Sequence, residues 1–196
     1  MSNEKLNAKD FITVGIFTAI VFAVEFVCGM LGFIHPYVVA SYAVLMPLLA
    51  GIPMMLFYTK VNKFGMITIM AILSAILWFL TGMGYLGAPL IVLAGLLADL
   101  IAKAGEYKSF KKTVLSHGVY CLWICGNFFP VVITATAYRQ RLLDGGYSQD
   151  YADNLFRAIN SKTILLLAAL CFVFGCIGAL LGKVVLKKHF EKAGIV

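Results

Sequence analysis

The sequence predicts an all-α integral membrane protein, a bundle of six transmembrane helices with both termini in the cytoplasm. Composition is the first ground. Of 196 residues, 62% are hydrophobic and 13% charged, and the mean hydropathy is +0.94. An ordinary soluble domain is about 45–50% apolar and about 25% charged. So few charges cannot cover a water-exposed surface, which excludes a soluble globular protein and a disordered chain. The net charge of +7 does not point to nucleic acid, because the charges fall in loops between apolar runs, where membrane proteins place lysine. The second ground is the apolar runs themselves, at residues 10–31, 37–58, 64–80, 86–102, 113–138 and 163–186. Each approaches the roughly 20 residues that a spanning helix needs. They are continuous rather than alternating, which selects helices over a β-barrel. The third ground is charge asymmetry. Grouping alternate loops puts twelve lysines on one side, against Arg139, Arg141, Arg157 and Lys162 on the other. The positive-inside rule assigns the lysine side, and both termini with it, to the cytoplasm.

The six runs use nearly the whole chain, so residues 1–196 read as a single membrane domain. The first run is too long for the apolar core of a signal peptide and precedes no small-residue cleavage site, so it is expected to stay as a helix. His35-Pro36-Tyr37 makes the first outer turn and Gly82-Met83-Gly84-Tyr85 the second. The fourth run is short and flanked by Gly and Pro. The fifth contains Asn127 and Pro130, and a proline inside a helix removes a backbone hydrogen bond and kinks it. The freed carbonyls need protein or a water-filled cavity to receive them, which makes Asn127 a candidate cavity residue. Residues 139–162 form the one long polar segment, read as an ordered outer lid. Gly145-Gly146 marks a turn. Ser148 is placed to cap a short helix over 149–159, although Tyr151 stands where a capping box needs an acid or Gln. Tyr151, Leu155 and Ile159 fall at helical spacing along it.

Few residues carry chemistry. Glu25 lies at membrane depth in the first run, where a carboxylate is costly and marks either function or an interhelical hydrogen bond. Asp99 precedes Lys103 by four residues, the spacing of an ion pair on one helix face. His117 reads as structural. Tyr37 and Tyr85 read either as interfacial anchors or, with His35, Trp78, Tyr138 and Arg139, as the wall of an outer aromatic pocket. The cysteines at 28, 121, 125, 171 and 176 show no zinc spacing and read as buried free thiols. GxSxG, HExxH, Walker A and GxGxxG are all missing, so neither an enzymatic activity nor a cofactor is expected. Small residues recur at four-residue spacing, as Gly15, Ala19 and Ala23 in the first run and as Gly175/Ala179 and Gly178/Gly182 in the last. Such stripes let helices approach closely; packing within the bundle is the default, and an external membrane partner the alternative.

Three stretches carry a family likeness: VGIFTAIVFA in the first run, GLLADLIAKAGEYKS after the fourth, and the terminal LLGKVVLKKHFEKAGIV. With six runs in a chain of this length, they resemble the substrate-binding S components of energy-coupling factor (ECF) transporters, in the branch called Trep_Strep or MptD-type. The resemblance implies a membrane subunit that captures a small micronutrient from outside. It would dock on a coupling transmembrane subunit driven by two cytoplasmic ATPases, topple in the bilayer and release its substrate inside. It implies docking through an Ala-xxx-Ala motif on the first helix, matched here by Ala19 and Ala23 with Gly15 one turn earlier. It also implies outer turns that close over the substrate, with His35, Tyr37, Tyr85 and Arg139 as contacts. A metal substrate is disfavoured by the scarcity of Asp, Glu and His. The aromatic outer face suits a flat organic molecule. The arginines suit an acid or phosphate, while Glu25 suits a positive or donating group, so the charge of the substrate stays open. A stand-alone secondary transporter or channel is the alternative, although no internal repeat is evident.

Overall fold

The computed structural model describes residues 5–82 and 86–190, with the side chains of all of these except His189 and Phe190. Its described residues are helical throughout, joined by turns. Helix α1 spans Ala8–Met30 and runs on through a 3-10 turn at Leu31–Phe33. It starts with a reciprocal cap: the Asn7 side chain accepts from the Asp10 amide at 3.1 Å, and the Asp10 carboxylate accepts from the Asn7 amide at 2.9 Å. Then follow α2 (Pro36–Tyr58), α3 (Met66–Leu80), α4 (Ala88–Lys103) and α5 (Phe110–Tyr120). A second 3-10 segment at Cys121–Asn127 leads into α6 (Phe129–Ile133), α7 (Ala135–Asp144), α8 (Gln149–Ala158) and α9 (Ile164–Val185).

Six of these pack as a closed ring, in which α1 touches α2, α2 touches α9, α9 touches α5, α5 touches α4, α4 touches α3 and α3 returns to α1. Ala8–Phe33, Pro36–Tyr58 and Ile164–Lys188 are long and apolar enough to cross a membrane, and Met66–Leu80 is a shorter apolar helix. The ring's outer surface is apolar: Ile12 and Val27 on α1, Leu80 on α3 and Leu165 on α9 are all well exposed. Its interior holds polar groups, with Thr18, Glu25, Ser74, Asp99, Ser116 and His117 all buried. The rest of the interior is apolar as well, so an apolar core is wrapped in an apolar outer surface, which fits a bilayer as solvent.

Helices α2 and α9 meet backbone to backbone. A Cβ placed on Gly178 would stand 2.2 Å from the Pro47 carbonyl oxygen, and one on Gly182 would stand 2.6 Å from that of Gly51. Only glycine permits this contact between backbones. Asp99 is held otherwise than its spacing to Lys103 predicts. Its carboxylate accepts from the Gly65 amide (2.9 Å), the Thr68 amide (3.1 Å) and hydroxyl (2.9 Å), and the Tyr107 hydroxyl (3.0 Å). It thereby caps the start of α3, where amides lack partners and the helix dipole favours negative charge. Tyr107 reaches it because Glu106 and Tyr107 both take left-handed backbone, with φ of 52° and 57°. Burial and then the charge of Asp99 hold the Tyr107 phenol well above its ordinary pKa, so it remains a donor. Lys103 instead lies over the Phe64 ring, 4.8 Å from its centroid.

The fifth apolar run departs most from expectation. The sequence predicts one helix over 113–138, kinked at Pro130. The α-helix instead stops at Tyr120, tightens to 3-10 winding through Asn127, resumes for one short turn and breaks again at Thr134 (φ −117°, ψ 40°). The second break turns the chain into α7, so residues 135–138 belong to the lid rather than to the run. The lid is thus two short helices. Ser148 caps the second as its position predicts, accepting from the Tyr151 amide at 3.1 Å. Leu155 and Ile159 are buried beneath it.

Candidate functional site: an aromatic cavity under the lid

The two helix breaks create the site. A cavity of about 250 Å³ opens between the end of α1, the start of α2, the end of α3, the 3-10 segment with α6, and the lid. Six aromatic rings line it: Phe33, Tyr42, Trp78, Tyr138, Tyr147 and Tyr151. Gly32 leaves room for one of them, since a Cβ there would overlap the Tyr42 hydroxyl at 1.8 Å. That hydroxyl donates to the Gly29 carbonyl. The lid is fastened by the Tyr151 hydroxyl, which donates to the Gly32 carbonyl at 2.7 Å. Burial, reinforced by Tyr147 and Tyr138, lifts Tyr151 from its ordinary pKa of 10.0 to about 12, so this donor keeps its proton. Tyr147 stacks on Phe33 at 6.4 Å and lies 4.6 Å from Tyr151, which ties lid and turn together.

The polar lining is sparse. The Asn127 side-chain nitrogen is buried with no hydrogen-bond partner, and Arg141 supplies a guanidinium. No carboxylate lines the cavity among the described residues. An unpaired buried donor costs about 1–3 kcal/mol, and an acceptor on an occupant would relieve it. Behind the wall lies Glu25, 2% exposed, which accepts from Trp78 Nε1 at 3.4 Å. Trp78 has one face toward the cavity lining and its indole nitrogen toward this carboxylate. Trp123 sits against it, with ring centroids 5.6 Å apart.

Of the residues singled out from the sequence, the structure brings Trp78, Asn127 and Tyr138 to the cavity wall and Glu25 just behind it. It takes three others elsewhere. His35 caps α2, accepting from the Tyr37 amide at 3.3 Å, and stacks on the Tyr37 ring at 5.4 Å. Tyr37 is half exposed and reaches Asn154 on the lid at 3.5 Å. Arg139 pairs with Asp153 and lies over the Phe156 ring. Tyr85 lies outside the described residues. The sequence does not single out Tyr42 or Tyr147, reads Tyr151 only as a face of the lid helix, and counts Arg141 only among the outer arginines suited to an acid. Arg141 is two positions from Arg139, which on a helix is about 200° around, so the helical phase of α7 decides which of the two faces the cavity. Gly15, Ala19 and Ala23 lie on the side of α1 away from its buried face of Val14, Thr18, Val21, Glu25 and Cys28. Ala19 and Ala23 are exposed, and a Cβ on Gly15 would meet nothing within 4 Å.

An apolar-surfaced helical ring with a capped interior cavity defines an integral membrane protein. Over residues 8–192 the chain matches the family described as Hypothetical bacterial integral membrane protein (Trep_Strep). It belongs to that family and is a bacterial integral membrane protein. No curated protein and no solved structure matches it.

Proposed function

We propose that this chain is the substrate-binding membrane subunit of an ECF-type importer and not an enzyme. In this reading all six ring helices span the bilayer, both termini face the cytoplasm, and the lid faces outward. The observation that carries it is the pairing of two features on one helix. The inner face of α1 backs the lidded cavity through Glu25, and its outer face leaves a small-residue stripe bare. A subunit that captures a molecule alone and is powered by others needs both. The partners are a coupling transmembrane subunit, seated on Gly15, Ala19 and Ala23, and two cytoplasmic ATPases.

The cavity lining narrows the substrate. Its aromatic walls favour a flat ring, and its free-energy deficit sits on a donor, Asn127, near the guanidinium of Arg141. With Glu25 behind Trp78 rather than on the wall, the substrate that fits is a small, vitamin-like ring compound bearing acceptor atoms and a negative group. At about 250 Å³ the cavity falls just below the usual span of ligand sites, about 300–1,000 Å³, which restricts it to a small occupant.

Co-expression tests this. The tagged chain should co-purify with a coupling subunit and its ATPases and import a micronutrient only in their presence. Ala23→Trp should lose both while a purified sample still retains its small molecule. Import by the chain alone would instead identify a stand-alone transporter.

A further inference from the structure

The end of the ring opposite the lid holds a second cavity of about 250 Å³, between the end of α2, the start of α5 and the end of α9. Three lysines line it: Lys108 from the turn before α5, and Lys183 and Lys187 one helical turn apart on α9 and its extension. No acidic side chain lines it among the described residues. Lys183 is positioned by the Phe110 ring, with Nζ 3.8 Å from the centroid. Like charges converging on one concave site repel each other and focus a positive potential there. The hydroxyls in the wall do not compete as donors. Thr59 donates to the Leu56 carbonyl and Thr113 to that of Ser109, while Tyr58 is engaged with Ser116 at 2.6 Å. The ammonium groups are therefore the donors available to an occupant. The start of α5 adds to the positive field, because Ser109 makes no side-chain cap to its first-turn amides. Met55 and Leu186 give the cavity an apolar edge.

We propose that this cavity binds a phosphate group, carried either by the headgroup of an anionic phospholipid or by a soluble phosphate. Several ammonium groups around one multiply charged, acceptor-only group is the chemistry by which lysine binds phosphate. Basic pockets between membrane helices hold lipid headgroups in the same way. The site is separate from the lidded cavity and does not depend on the function proposed above.

The test uses the full chain, stripped of lipid in mild detergent and titrated with phosphatidylglycerol or phosphatidylcholine under native mass spectrometry. In parallel, its thermal unfolding is followed with and without millimolar inorganic phosphate. The triple variant Lys108→Ala/Lys183→Ala/Lys187→Ala is compared with Lys5→Ala/Lys9→Ala/Lys103→Ala, which removes the same charge outside the cavity. A preference for phosphatidylglycerol of about tenfold or more, lost in the cavity variant and kept in the control, establishes a lipid headgroup. No lipid preference, but stabilisation by phosphate that only the cavity variant loses, establishes a soluble phosphate. Equal behaviour of the two triple variants toward both lipid and phosphate overturns the proposal, as does a lipid preference that survives in the cavity variant.

Discussion

Helices α1 and α9 both carry small residues every fourth position, and the fold uses them in opposite ways. On α9 the stripe of Gly175, Gly178, Ala179 and Gly182 is buried against α2 and α5. A Cβ at Gly175 would come within 3.0 Å of Cys121, and one at Gly178 would strike the α2 backbone. On α1 the same spacing, Gly15, Ala19 and Ala23, points away from the bundle. Close approach is used up inside the protein in the first case and left available in the second. In a membrane, helix association relies on packing rather than on exclusion of water. A bare stripe among bulky neighbours such as Ile16 and Ile20 is therefore a shallow groove with room for a partner's backbone. The difference shows that small-xxx-small spacing reports the capacity for close packing, and that only the tertiary arrangement says who the neighbour is.

The comparison breaks first at Gly178. Gly178→Leu drives a side chain into the Pro47 carbonyl and should cost about 3 kcal/mol or more, seen as a large drop in the thermal unfolding midpoint. An unchanged midpoint would mean that α2 and α9 are not in backbone contact. On the bare stripe, Ala19→Trp and Ala23→Trp should leave the midpoint within a degree or two and remove coupled import. If these variants unfold the protein instead, the stripe faces another helix of the same chain.

The inner face of α1 sharpens the contrast. Trp78→Phe deletes the indole donor to Glu25 and leaves a buried acceptor short of a partner, at about 1–3 kcal/mol. Glu25→Gln in the same assay should change substrate affinity while the bundle stays folded, and unaltered affinity would assign Glu25 to structure. Tyr151→Phe removes the hydrogen bond that fastens the lid. It should cost about 1 kcal/mol, read as roughly fivefold weaker retention of the bound molecule. The smallest effect concerns pH. The Tyr151 pKa is raised in the folded protein, so its contribution is complete below its ordinary value of 10.0 and is lost only as pH rises through about 12. Retention by the lid should therefore be flat from neutral to mildly alkaline pH, and a fall in that range that vanishes in Tyr151→Phe would contradict the assignment.

Much of the architecture is legible from apolar run length, because a bilayer fixes how long an apolar helix must be. Helices α1, α2, α3, α4 and α9 begin and end within two residues of the apolar runs. The Ser148 cap was likewise local and readable. The fifth run was not, because the sequence is as apolar through Cys121–Asn127 as before it, and the tightening there depends on what α4 and α9 pack against it. Asp99 misled for a related reason. Its i+4 lysine is a local pattern, whereas its four donors come from α3 and a loop in left-handed backbone. Of the cavity, Trp78, Asn127 and Tyr138 are legible as aromatic or polar residues at the outer part of apolar runs. Which of Arg139 and Arg141 faces the cavity depends on the helical phase of α7, which no apolar periodicity announces.

The most direct measurement is native mass spectrometry of the chain purified in mild detergent from cells grown in rich medium, beside Asn127→Leu and Arg141→Leu. One small molecule should be bound per wild-type chain, negatively charged at neutral pH and depleted in both variants. A wild-type chain that stays empty even after incubation with a mixture of water-soluble vitamins, or a molecule retained equally by all three proteins, would contradict it.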